Sequence, residues 1–424
     1  MGGLYAKFHV MEVAIIGLSA LFFGGHALQW FFEKTKIPDL LILIVIGYVL
    51  GPLTGVISEE QLGQVGALVA TLALIVILYE AGLHLSTKDL AESWGPSLLL
   101  SLLTFISIGV LTVLITTPVV GYPYSILVAF AVGSTSSAIV IPMVKFLSLD
   151  QKTKTILSLE SAFTDIFAIV LFLVTVEGIK AGQMDPYSIF FNIGPKTLIS
   201  MGFGLAFAFG WASVKKYANN YTKMRFAGES WALLCYGLAQ LIGLNGAMSV
   251  LCLGFCLANL NLLPNWLTQF FSKVPVTFEE MALLSEITFL LKTFFFLYLG
   301  LLISFDNWAL VAVGGLIAIS IFVTRYFSIR LLFPAKKGTT LLDALALTSM
   351  GPRGLACAVL ATIPLQEGFE NGLQIQQILF ATIPITIFLT ALFIFLCENA
   401  SMRDRLKFLF PSHPNGLKDT SSDA

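Results

Sequence analysis

Charge is what this sequence has least of. Lys, Arg, Asp and Glu make up 12% of the 424 residues, while 57% are hydrophobic; an ordinary soluble domain carries about 25% charged residues. Mean hydropathy is +0.88. The imbalance excludes a soluble globular chain and predicts a polytopic membrane protein. The net charge of −1 offers no basic field for nucleic acid. The five cysteines, Cys235, Cys252, Cys256, Cys357 and Cys397, all lie in apolar runs. None has convincing metal-ligand spacing, and a disulfide framework is not expected. Phosphate loops, nucleophile elbows and metal motifs are missing too, so neither an enzyme nor a resident cofactor is expected. The first apolar run ends in Glu33-Lys34 rather than a small-residue cleavage site, and it reads as a retained span.

What the chain has in abundance is apolar runs of about 20 residues, the length that crosses a bilayer. Thirteen candidates follow one another: 11–32, 38–56, 62–84, 95–117, 123–145, 154–177, 189–212, 229–243, 246–263, 283–303, 308–329, 341–363 and 375–397. The fold expected is an all-α membrane domain over 1–397, followed by a short cytoplasmic tail, 398–424. The tail has a polar end, HPNGLKDTSSDA, and leaves no room in this chain for a soluble nucleotide-binding domain.

Basic residues set the orientation. With the N-terminus outside, only Lys7, Lys180 and Lys196 face outward. The inner loops and tail then hold Lys34, Lys36, Lys88, Lys145, Lys152, Lys154, Lys215, Lys216, Lys223, Arg225, Lys273, Arg330, Lys336, Lys337, Arg403, Arg405, Lys407 and Lys418. The split predicts an outside N-terminus and a cytoplasmic C-terminus, in a plasma or inner membrane.

Few ionisable residues are left inside: Glu80, Glu160, Asp165, Glu286, Lys292, Arg325, Arg353, and at the margins His26, His84 and Asp343. Such residues are costly in lipid and mark functional sites or structural ion pairs. Asp165 stands out in SLESAFTDIFAIV. Ser158, Ser161 and Asp165 share one helix face at i, i+3 and i+7, and Thr164 adjoins them. A carboxylate among hydroxyls suits a hard monovalent cation, and the same carboxylate can take a proton. The plainer reading is a packing Asp bonded to hydroxyls. Glu160 points about 100° away from Ser161, and Arg353 is its expected partner, since an unpaired buried Glu is costly.

Two spans read as interrupted helices. One break is GSTSSAIVIP, 133–142; the other is TSMGPRG, 348–354. Pro removes a donor and Gly loosens the backbone, and open backbone at membrane depth is tolerated where it is buried or lines a cavity. The breaks fall in the fifth and twelfth spans. Matched breaks in two halves point to a binding site at an inverted-repeat interface. The plainer reading is a Ser/Thr packing seam plus an ordinary Pro kink.

These residues carry a resemblance. TKIPDLLILIVIGYVLGP (35–52), LYEAGLHLSTKDL (78–90), LNGAMSVLCLGFCLAN (244–259), KTFFFLYLGLLISF (292–305) and, most sharply, ESAFTD (160–165) resemble, in order, segments of the cation:proton antiporter superfamily. The family's motif in the last place is ES-x-x-ND. The resemblance implies thirteen helices, inverted repeats with two broken crossing helices, and a homodimer in the lipid bilayer. It implies a core of about 95–177 and 308–397, with the other spans as scaffold. Asp165 would bind cation and proton alternately, with Ser161 as a ligand to the monovalent cation, Thr164, Ser136 and Ser137 completing the cation shell, and Glu80 a further cation- or proton-binding residue. Glu160 would pair with Arg353 of GPRG; Arg325 and Lys292 match supporting basic residues. Thr164 stands where the exchanger branch has Asn. Ser136-Ser137-Ala138 replaces its TDP and is closer to the potassium/proton branch, so Na+ and K+ both stay open as cargo beside H+. Electroneutral exchange is the expected function. The alternatives are a sodium-coupled or other solute carrier on a similar scaffold, a channel, and a sensor whose buried charges only hold helices together.

Overall fold

The computed structural model describes residues 2–35, 38–57, 59–84, 94–184, 187, 194–217, 226–260, 276–303, 307–335 and 338–414. Lys36, Lys88, Lys223, Arg225, Lys273, Lys336, Lys337, Lys418 and the end of the tail lie outside them. The described residues form helices and their connections, with no strand among them. In chain order the helices are α1 Gly2–Thr35, α2 Asp39–Tyr48, α3 Glu59–His84, α4 Trp94–Val120, α5 Tyr124–Gly133, α6 Ser137–Phe146, α7 Gln151–Lys180 and α8 Gly194–Tyr217. There follow α9 Ala227–Leu241, α10 Gly246–Asn259, α11 Phe278–Leu302, α12 Trp308–Leu332, α13 Leu341–Ser349, α14 Leu355–Gln366, α15 Gly372–Glu398 and α16 Ala400–Leu406.

Each predicted apolar segment coincides with a helix over most of its length, the fifth and twelfth with a pair. Among the described residues, seven stretches are long and apolar enough to cross a membrane: Gly95–Val120, Tyr124–Phe146, Gln151–Lys180, Gly194–Lys216, Phe278–Leu302, Trp308–Leu332 and Gly372–Glu398. Asp39–Leu53, Thr71–His84, Gly246–Ala258 and Leu355–Gln366 are shorter apolar stretches.

The chain divides into two compact units. The first comprises Met1–Ala73 and Ser285–Ile303. Here α2 and the C-terminal part of α11 cross at glycines. A Cβ on Gly47 would strike the Leu297 carbonyl, and one on Gly300 the Ile44 carbonyl. Small residues let helix backbones meet closely where lipid supplies no hydrophobic drive to pack. His26 of α1 stacks on Phe289, with ring centroids 4.4 Å apart.

The second unit comprises Leu74–Leu284 and Ser304–Ala424. Its centre is α7, which packs against α4, α5, α6, α13 and α14. Buried hydroxyls on α4 and α7 donate to their own helices: Thr104 to the Leu100 carbonyl at 2.8 Å and Thr164 to the Glu160 carbonyl at 2.9 Å. That satisfies them without water. Asp343 lies at a helix start rather than mid-span. It forms a capping box with Thr340 on α13 and accepts from the Asp150 backbone N–H at 3.1 Å.

Both predicted breaks are present. The chain is extended at Ser134 and Ser136 between α5 and α6, and non-helical over Met350–Gly354 between α13 and α14. The two breaks meet: the Ser136 N–H donates to the Pro352 carbonyl at 2.9 Å. Gly354 makes this approach possible, because a Cβ there would collide with the Ser136 side chain.

Candidate functional site

Residues 158–165 run along α7 where it faces the two breaks. The Ser137 hydroxyl, on the first residue of α6, donates to Asp165 Oδ2 at 3.1 Å. A helix N-terminus favours a neighbouring negative charge. Asp165 as a whole is half-buried, but Oδ1 is enclosed and has no hydrogen-bond partner among the described residues. The Ser136 hydroxyl is enclosed and unpartnered as well. Thr164 fixes the break itself, its Oγ1 accepting from the Thr135 backbone N–H at 3.1 Å. Ser161 is fully buried one turn before Asp165, and its hydroxyl donates to the Ser158 carbonyl at 2.9 Å. Thus Asp165, Thr164 and the Thr135–Ser137 segment are brought together, with Ser161 on the adjoining turn.

The predicted Glu160–Arg353 pair is corrected. Glu160 pairs with Arg325 of α12: Nη1 lies 2.5 Å from Oε1 and Nη2 3.0 Å from Oε2. Both side chains are fully buried. The forked geometry is the strong form of this interaction. Thr104 Oγ1, whose proton goes to the nearer Leu100 carbonyl, lies 3.4 Å from Oε1. Arg325 also donates to the Leu347 carbonyl, 2.7 Å from Nη2 and 3.1 Å from Nε, near the C-terminal end of α13.

Arg353 has a different target. Its Nη1 donates to the Ser134 carbonyl at 2.7 Å and to Thr135 Oγ1 at 2.8 Å. Its own N–H donates to Thr386 Oγ1 at 3.0 Å. Each first half-helix therefore ends against an arginine, α5 against Arg353 and α13 against Arg325. The open carbonyls at a helix C-terminus attract cations, and this attraction explains both placements. Sequence reading missed Thr135 and Thr386. Thr135 lay inside the flagged break, while Thr386, in an apolar run, gives no signal.

Two predicted residues remain. Glu80 is half-buried on α3. Lys292, in the first unit, places its Nζ 5.5 Å from the Phe289 ring centroid. It does not pair with Glu286, which lies 3.7 Å from His26 Nε2.

The model of the sodium/hydrogen exchanger transmembrane family matches residues 17–397. The chain belongs to that family. Among exchanger relatives, it is 26% identical over 239 residues to the low-affinity Na(+)/H(+) antiporter NhaS1 of Synechocystis, covering 53% of this chain and 42% of that protein. It is 25% identical over 365 residues to the K(+)/H(+) antiporter NhaP2 of Shewanella sp. strain ANA-3, covering 80% and 58%. The chain thus spans about half the length of these curated relatives. The sodium proton antiporter MjNhaP1 from Methanocaldococcus jannaschii, solved at pH 8, has the same fold: TM-score 0.70 at 21% identity, covering 94% of this chain and 99% of that one. This exchanger-family chain is a multi-pass membrane protein.

Proposed function

We propose that the chain exchanges a monovalent cation, Na+ or K+, for H+, with Asp165 alternately binding each. One observation carries the reading: at the meeting point of two broken helices lies a carboxylate with one oxygen held by Ser137 and the other enclosed and unpartnered. Such a group needs a proton or a cation, because a bare carboxylate is costly there. Ser161, Thr164, the Ser136 hydroxyl and Ser137 supply oxygen to the cation, with Glu80 as the further carboxylate that the family likeness assigns to it. Loaded forms cross and the empty form does not, which couples the two fluxes one for one. Glu160–Arg325 and Arg353 hold the breaks in shape. The core is about 95–177 and 308–397, with the remaining spans as scaffold of a homodimer. The N-terminus lies outside and the C-terminus in the cytoplasm of a plasma or inner membrane. No resident cofactor and no catalytic step enter this cycle.

The test uses proteoliposomes holding a pH-sensitive dye under an imposed pH gradient. Sodium, potassium, lithium or choline is added, for wild type and Asp165→Asn. Collapse of the gradient by one cation with wild type alone is expected, and identifies the cargo. Exchange by folded Asp165→Asn at the wild-type rate would overturn the role of Asp165. Silence of folded wild type toward every cation would favour an organic-solute carrier.

A further inference from the structure

Elsewhere in the second unit a small cavity is lined by Tyr79 of α3, Trp211 of α8, Gly228 and Glu229 of α9, and Glu280 and Leu284 of α11. Glu229 is 2% exposed, and neither of its carboxylate oxygens has a hydrogen-bond partner among the described residues. The neighbouring cation is engaged: Lys215 Nζ lies 2.5 Å from Glu280 Oε2, which also accepts from the Thr277 backbone N–H at 2.7 Å. The titratable groups around Glu229 are therefore Tyr79, Lys215 and Glu280, with two carboxylates against one ammonium. The buried indole N–H of Trp211 is also unpartnered.

We propose that this cavity is a second cation site, separate from Asp165, taking one dehydrated monovalent cation of about sodium's size. A buried carboxylate without a partner must be neutralised. A cation can do this where further oxygens face the same space, as those of Glu280 and Tyr79 do here. The cavity has room for about one water-sized body. That excludes an organic amine or a lipid headgroup. It also excludes a magnesium ion with its retained waters, and a calcium ion with its six to eight oxygens. The carboxylates of Glu229 and Glu280 and the Tyr79 hydroxyl supply the hard oxygens a small alkali ion prefers.

Equilibrium binding of radioactive sodium to the detergent-solubilised full chain tests this, with choline holding ionic strength constant. Asp165→Asn removes the other carboxylate, so it is expected to retain saturable sodium binding. Adding Glu229→Gln to that variant should abolish the binding. Glu280→Gln should do the same by releasing Lys215 to Glu229, and it carries the test if Glu229→Gln does not fold. The proposal is overturned if Asp165→Asn binds no more sodium than the choline control, or if binding survives both glutamine changes. The outcome is independent of the exchange assay, since it reads occupancy and not transport.

Discussion

Arg325 and Glu160 meet in a fully buried fork, 2.5 Å at its closer contact, although 165 residues separate them in the chain. Arg325 is shared, because its guanidinium also holds the Leu347 carbonyl beside the second break. The pair therefore ties α7 to both α12 and α13. Removing one partner leaves the other charged, buried and unanswered, at a cost of ~3–5 kcal/mol. Glu160→Gln and Arg325→Gln should each lower the melting temperature sharply, and double-mutant cycles should couple Glu160 more strongly to Arg325 than to Arg353. Thermal unfolding in detergent checks both.

Gly354 is where the two breaks touch. Gly354→Ala puts a methyl group into the Ser136 side chain, an overpacking that costs ~1–3 kcal/mol. Transport should fall with it. Ser136→Gly in the same chain removes the obstacle and should restore stability, as read by thermal unfolding of the single and double variants.

Thr164 holds the first break through the Thr135 N–H. Thr164→Val keeps the shape but leaves that N–H without its acceptor, a cost of ~1–3 kcal/mol. The expected result is a folded protein with slowed exchange. Thr164→Asn keeps an acceptor, so it should exchange faster than Thr164→Val in the dye assay and shift the sodium/potassium preference.

If one carboxylate serves cation and proton in turn, the two compete. Lowering the pH on the cation-binding side should raise the cation concentration needed for half-maximal exchange and leave the maximal rate unchanged. Rate measurements across a cation series at several pH values read this directly. A maximal rate that falls while the half-saturating concentration stays fixed would count against a shared site.

The apolar segments, the two breaks and the prominence of Asp165 are legible in the chain without its fold. Each is a local property. Twenty apolar residues span a bilayer, Gly351-Pro352 cannot continue a helix, and a lone carboxylate in an apolar helix is conspicuous without any partner being known. Which of these residues meet is set by packing over long chain distances. Arg325 and Arg353 both lie within apolar spans, and the sequence pointed to Arg353 as the partner of Glu160. The choice fell to the long reach of Arg325 from α12 to the Glu160 carboxylate, and to the carbonyl of Ser134, which draws Arg353 to the end of α5. Glu229 and Glu280 likewise look like ordinary span-end residues. Only the packing of α3, α8, α9 and α11 encloses them together, because a pairwise distance between helices depends on the whole set of contacts and on no short stretch of chain.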